Sequence, residues 1–209
     1  MYLPEHFAEP DPQAVRALIA AAPLACVVAQ TQDGLLANHI PLLHGRDGAL
    51  IGHVALANDM HRLVADGTKV LAIFHGPDAY VSPNSYPTKA EHHRHVPTWN
   101  YQVVHVHGMI RFQHDTHAKR AAVGLLTSHL ERQRNGAGAW RMADAPADYM
   151  AAMLDAIVAF RIDPQQIVAK SKLSQNRSAT DHRGAVDALR AAGHDSIADA
   201  MAARTHSPD

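Results

Sequence analysis

The sequence predicts an α+β fold that is mainly β: a six- to seven-stranded antiparallel barrel, closed or nearly so, with peripheral helices. Three observations predict it. Short apolar and β-branched runs are punctuated by Asp-Gly turn signals, which join antiparallel neighbours. Tyr101–Phe112 alternates, with Val104, Val106, Ile110 and Phe112 on one face and Tyr101, Val103, His105 and His107 on the other. The strand runs outnumber the helical ones around them, and no internal repeat is visible.

The elements follow in order. Asp11–Ala22 is a helix: Asp11 can cap it, Pro12 suits its first position, and Val15, Leu18 and Ile19 share a stripe. Pro23 ends it. Leu24–Gln30, Leu35–Leu43 and Ala49–Val54 then read as a three-strand meander turning at Asp33-Gly34 and Gly45–Gly48. A short helix runs from Asn58 to Ala65 and stops at Asp66-Gly67. Val70–Phe74 is a strand that Gly76-Pro77-Asp78 turns back into Tyr80–Ser82. Asp115 caps a helix to about Leu130, Glu131–Ala139 is a polar loop, and Pro146–Leu154 is another helix. Ala156–Ile162 is a strand broken by Asp163-Pro164, and Ile167–Leu173 is a last extended piece. Two helices, His182–Ala192 and His194–Arg204, are joined at Gly193, and Arg204–Asp209 reads as frayed.

Composition bounds the function. With 19 basic against 20 acidic residues the chain has a poor electrostatic footprint for wrapping nucleic acid by itself. Its 17 histidines make charge steeply pH-dependent near neutrality, and make any one histidine a weak ligand signal. The single cysteine, Cys26, excludes an internal disulfide framework and sits in an apolar run, where an inert buried thiol is expected. The start has no signal-peptide pattern and no apolar run is long enough to span a bilayer, so the expected address is the cytoplasm, without a membrane partner.

Chemistry-bearing residues concentrate in Ala79–Gly108. This stretch holds Tyr80, Ser82, Tyr86, Lys89, His92, His93, His95, Trp99, Asn100, His105 and His107. Prolines at 83, 87 and 97 forbid a regular helix through its middle, so it reads as strand, long ordered loop, strand. A second polar run, Lys172–Arg177, places two cations around Gln175 and Asn176. It is either a solvated loop or a clamp for a phosphate, which arginine grips bidentately.

Six stretches in order carry a resemblance: Met1-Tyr2-Leu3-Pro4 with His6-Phe7; Ala37-Asn38-His39-Ile40-Pro41; Gly52-His53-Val54-Ala55 with Ala57-Asn58; Tyr80-Val81-Ser82-Pro83; Val96-Pro97-Thr98-Trp99-Asn100-Tyr101; and Lys172-Leu173-Ser174-Gln175-Asn176-Arg177. Together they resemble the PaiB-type FMN-binding proteins. The resemblance implies an FMN-binding split β-barrel that dimerises, with FMN in the groove between subunits, and the name negative transcriptional regulator. It implies a split-barrel domain over 1–180 and a C-terminal helical hairpin with a tail over 181–209. Two departures stand out: Leu56 lies where the family often has arginine, and Ser85 where an aromatic is common.

In that light Lys172, Gln175, Asn176 and Arg177 are the expected phosphate and ribityl clamp. Asn38, His39, Ile40 and Pro41 are expected at the flavin ring, with His53, Ala57 and Asn58 toward the phosphate. Trp99 and Asn100 are either core or interface filler or a stacking element beside the flavin. The histidine group lacks a nearby cysteine and a His-Glu-x-x-His helix, so no dedicated metal site is expected, and haem ranks a little ahead of zinc. The C-terminal helix pair could be mistaken for a helix-turn-helix, yet Asp195–Met201 carries two acids and little to read bases. The expected partners are therefore a second copy of the chain and, directly or through another protein, DNA. The rival readings are a flavin oxidoreductase, with Tyr80, Lys89 and His105 as candidate proton donors, and a haem-binding or haem-degrading protein.

Overall fold

A computed structural model describes residues 1–204. The strands are β1 (Leu24–Thr31), β2 (Gly34–Pro41), β3 (Leu43–His44), β4 (Leu50–Ala55), β5 (Lys69–Val81), β6 (Thr98–Gln113) and β7 (Ile157–Lys172). The helices are α1 (Pro12–Ala21), α2 (Met60–Leu63), α3 (Lys89–His92), α4 (Thr116–Asn135), α5 (Ala147–Asp155), α6 (Ala179–Ala191) and α7 (Asp195–Ala202). The strands order as one antiparallel sheet, β2-β1-β5-β6-β7-β4-β3, so the mainly-β class is the one that forms. No helix among the described residues is long and apolar enough to cross a membrane. The described residues divide into two compact units: residues 16–74 with 105–167, and residues 1–15 with 75–104 and 168–204.

α1 begins as expected, with Asp11 accepting the N–H groups of Gln13 (2.9 Å) and Ala14 (3.2 Å). In the first unit, β1 and β2 pair from Leu24↔Pro41 to Thr31↔Gly34, and Gly34 supplies the positive φ (113°) that the hairpin turn requires. Ala25, Val27 and Ala29 point inward, toward a core that also holds Leu50, Phe74, Ile110, Phe160 and Ile162. Cys26, on the alternate face, is half-buried rather than buried. Although β2 and β4 stand far apart in the strand order, they lie in contact within this unit, as a curled sheet requires. Gly52 permits the approach, since a Cβ there would strike Leu42 and lie 3.1 Å from the Pro41 carbonyl.

Several sequence expectations are corrected. The three-strand meander does not form: β4 pairs with β7, from Leu50↔Ile162 to Ala55↔Ile157, and not with β2. After Pro41, which has no N–H to give, Leu42 donates to the Pro23 carbonyl, and the β3–β4 hairpin carries β4 to the other end of the strand order. β5 does not turn at Gly76-Pro77-Asp78, nor does β7 break at Asp163-Pro164. Proline's φ suits an extended chain as well as a turn, and beyond Pro77 alternation resumes at buried Ala79 and Val81, one residue out of phase with Val70, Ala72 and Phe74. α4 runs on through Asn135, where Glu131 and Asn135 bond one turn apart (2.7 Å) and Gly136 (φ 53°) ends it. α2 is only Met60–Leu63.

The second unit has its own core of Val81, Tyr86, Leu173, Ala185, Leu189, Ile197 and Met201. α6 is capped by Ser178, which accepts the Asp181 N–H. Its end is closed by Gly193 (φ 79°) and by a bond from the His194 N–H to the Leu189 carbonyl (2.9 Å). The N-terminal segment is held by a bridge from Ala8 to Lys170 and by the Glu9 N–H on the Ala169 carbonyl. The frayed end expected after Arg204 lies outside the described residues.

Candidate functional site

The expected residues gather in two places, one in each unit. In the second unit, β7 ends in a turn with Ser174 in the left-handed region (φ 64°) and the Arg177 N–H bonded to the Ser174 carbonyl (3.1 Å). Gln175 folds back on this turn: its Nε2 donates to the Ser171 carbonyl (2.5 Å) and its Oε1 accepts from the Leu173 N–H (2.7 Å). Asn100 is wholly buried, with Nδ2 donating to Ser174 Oγ (2.8 Å) and contacting Met201 Sδ (3.3 Å). The Gln175 amide and the Asn100 Nδ2 are therefore committed to building the turn, while Asn100 Oδ1 is buried without a partner. Asn176 is exposed beside it.

The turn sets three cations around two exposed aromatics. Lys172 Nζ donates to the Trp99 carbonyl (2.9 Å) and to Thr98 Oγ1. Trp99 is half exposed, donates its indole N–H to Asp78 (2.7 Å) and meets Tyr80 edge-on at 6.2 Å. Lys170 is buried among the rings of Tyr2 (5.5 Å), Phe7 (5.8 Å) and Tyr101 (5.3 Å). Arg177, half-buried, lies over the Tyr86 ring at 4.8 Å. Burial, and then the charges of Lys170 and Arg177, push the Lys172 pKa below the usual lysine value. Among the described residues no carboxylate forms an ion pair with Lys170 or Lys172. Uncompensated positive charge beside exposed rings suits an anionic aromatic ligand.

In the first unit, Asn38 accepts from Asn58 Nδ2 (2.9 Å), and Asn58 Oδ1 accepts the Met60 N–H (2.9 Å). Asn58 thus closes the start of α2 with its own side chain. Asn38 Nδ2 is buried and has no partner, which leaves one oriented amide donor in β2. His39 and Ala57 are exposed, and Ile40 is a core residue. His53 Nδ1 is also buried without a partner, and burial lowers the imidazole's pKa, favouring the neutral ring.

Pro41 and His53 line a cavity of about 370 Å³ with Leu126, Leu130, Glu131 and Trp140. Glu131 holds its wall by accepting Asn135 Nδ2 and the Trp140 N–H (3.0 Å); these bonds, Asn135 first, keep its carboxyl below the usual range. Glu131 and Trp140 were not anticipated as walls, because Glu131–Ala139 reads as a polar loop and Trp140 directly follows it. Their one visible signal was a tryptophan next to a glycine-rich polar run.

Comparison with known proteins bears on what these places are for. Residues 1–166 match the family described as "Putative FMN-binding domain". The chain belongs to that family. It is 30% identical over 194 residues to the Protease synthase and sporulation protein PAI 2 of Bacillus subtilis, covering 91% of this chain and 89% of that one. An uncharacterised protein of Aspergillus fumigatus is 28% identical over 176 residues, covering 70% and 67%. Among solved structures, the FAD and heme binding protein from Mycobacterium smegmatis aligns with a TM-score of 0.60 at 17% identity, over 85% of this chain and 78% of that one. The flavocytochrome Anf3 from Azotobacter vinelandii aligns with a TM-score of 0.59 at 14% identity, over 81% and 72%. These structural likenesses show a shared fold.

Proposed function

We propose that the protein binds FMN as a homodimer in the cytoplasm and serves as a flavin-dependent negative regulator of transcription. The observation that carries the flavin half is Lys172: a partly buried ammonium, crowded by Lys170 and Arg177, beside the exposed rings of Trp99 and Tyr80. A phosphate dianion relieves that crowding, and an isoalloxazine ring covers exposed aromatic surface. Lys172 and Arg177 take the phosphate, Asn176 the ribityl hydroxyls, and Trp99 the ring. In the first unit, taken by itself, Asn38, with its unpartnered Nδ2, and His39, Ile40 and Pro41 along the same strand are a separate set of residues we propose for flavin contact. His53, Ala57 and Asn58 are assigned alongside it. Leu56 is 45% exposed and has no charge, which leaves the phosphate to Lys172 and Arg177.

Bound FMN would supply reversible one- or two-electron chemistry, and the chain's part is to bind and orient it. With charge nearly balanced, any DNA contact would use basic surface assembled across the dimer or a partner protein. The test is the absorption spectrum of freshly purified protein, followed by release and identification of the chromophore. FMN is the expected result; a haem Soret band, or no chromophore and no FMN uptake, would overturn the reading. Replacing Lys172 and Arg177 together by alanine should weaken FMN far more than riboflavin, which lacks the phosphate, and equal weakening of both would refute the clamp.

A further inference from the structure

Of the histidine run His92, His93 and His95, His95 alone is deeply placed, with its side chain 6% exposed. Its ring lies 4.8 Å from that of Tyr86 and 4.9 Å from that of His92. Nδ1 is 3.3 Å from an Arg177 guanidinium nitrogen, and Nε2 is 2.8 Å from Thr88 Oγ1. A guanidinium has donors only, so Nδ1 must accept and carries no proton. The proton of the neutral ring is therefore on Nε2 and is given to Thr88 Oγ1. Thr88 in turn donates its hydroxyl to Asp181 Oδ2 (2.8 Å) and its N–H to Oδ1 (3.1 Å).

We infer that neutral His95 is the positioning residue for Arg177, fixing the guanidinium for phosphate through the directed chain Arg177–His95–Thr88–Asp181. This deepens the FMN reading above and rests on it. The chain is rigid at its far end, because the Asp181 side chain is 4% exposed on α6. Gly184 lets the loop lie against that helix, since a Cβ there would be 2.5 Å from the Ser85 carbonyl and 2.6 Å from Pro87. The groups facing His95 are Arg177 from the turn, Asp181 from α6, His92 from α3, and Tyr86 and Thr88 from the loop. Asp181 lies on the Nε2 side of the ring, 3.6 Å away. A proton on Nδ1 turns the acceptor into a donor and sets two cations face to face, so Arg177 is released.

A site made only of cations binds phosphate more tightly as neighbouring histidines protonate; this one weakens. The test is FMN and riboflavin affinity from pH 7.5 to 5.5 for wild type, Arg177→Ala, His95→Gln and His95→Phe. Glutamine can accept from Arg177 and donate to Thr88 without titrating, and it carries the same correction for the phosphate's own protonation. At pH 7.5, H95Q should bind FMN nearly as wild type does. H95F should lose roughly tenfold or more, the scale of a charge-assisted hydrogen bond, with riboflavin unchanged. On acidification, wild type should lose FMN affinity more steeply than H95Q. If R177A leaves FMN affinity intact, the phosphate reading fails and this inference with it. If R177A weakens FMN while H95Q follows the wild-type pH curve, the positioning role alone is overturned. Should H95F not fold, the comparison of wild type with H95Q still decides.

Discussion

Lys172 is where binding and stability pull in opposite directions. Its pKa is depressed in the folded chain by burial and by Lys170 and Arg177, so the charged form carries a cost that the unfolded chain does not have. The sign follows: this cost is fully present at neutral pH and is relieved as pH rises through the folded pKa. Lys172→Met should therefore melt no lower than wild type without ligand, yet lose the upward shift in melting temperature that FMN confers. Thermal scans with and without FMN check both halves. Asp181 shows the converse. Burial alone would raise its pKa, but the bonds from the Thr88 hydroxyl and N–H and from Ser178 outweigh burial and lower it. Its contribution is present above the unfolded carboxylate pKa and is lost as pH falls through the folded value. Asp181→Ala should cost roughly 3 kcal/mol at neutral pH, as expected for a buried carboxylate with several donors. Denaturant melts should show the deficit of Asp181→Asn narrowing in strong acid.

At the scale of elements, close backbone approaches decide what glycine must occupy. A Cβ on Gly108, in β6, would lie 2.5 Å from the Asp163 carbonyl and 2.7 Å from Ile162 Cγ2, both on β7. Backbone cannot yield as a side-chain tip can, so Gly108→Ala should cost about 3 kcal/mol, at the upper end of overpacking penalties. An equilibrium melt within 0.5 kcal/mol of wild type, about the spread of neutral surface changes, would contradict that packing. Helix starts were legible because a cap is local: Asp11 before α1 and Asp115 before α4 both accept N–H groups of their first turns. Pro77 and Pro164 were misread as ends because a turn signal is also local, whereas continuation of β5 and β7 depends on neighbouring strands and on which residues are buried.

For the whole molecule, the proposed dimer predicts a mass of twice the chain by light scattering at micromolar concentration, retained when flavin is bound. A monomer at that concentration would remove the shared groove from the proposal. With flavin bound, a mobility-shift titration at moderate salt should give a shift only if basic surface is assembled by pairing or by a second protein. No shift with or without flavin would leave the partner-protein route.

By itself the sequence determined the mainly-β class, the Asp33-Gly34 hairpin, the capped helices and the identity of the cations that close β7, because each rests on near neighbours along the chain. Tertiary structure alone decided that β4 pairs with β7 and that Asn100 and Gln175 fasten the turn. It alone showed Glu131 and Trp140 walling a cavity, and His95 buried between Arg177 and Thr88. Those outcomes depend on which groups lose water and what they then meet across long sequence separations. A polar residue reads the same in sequence whether it faces solvent or spends its hydrogen bonds inside the fold.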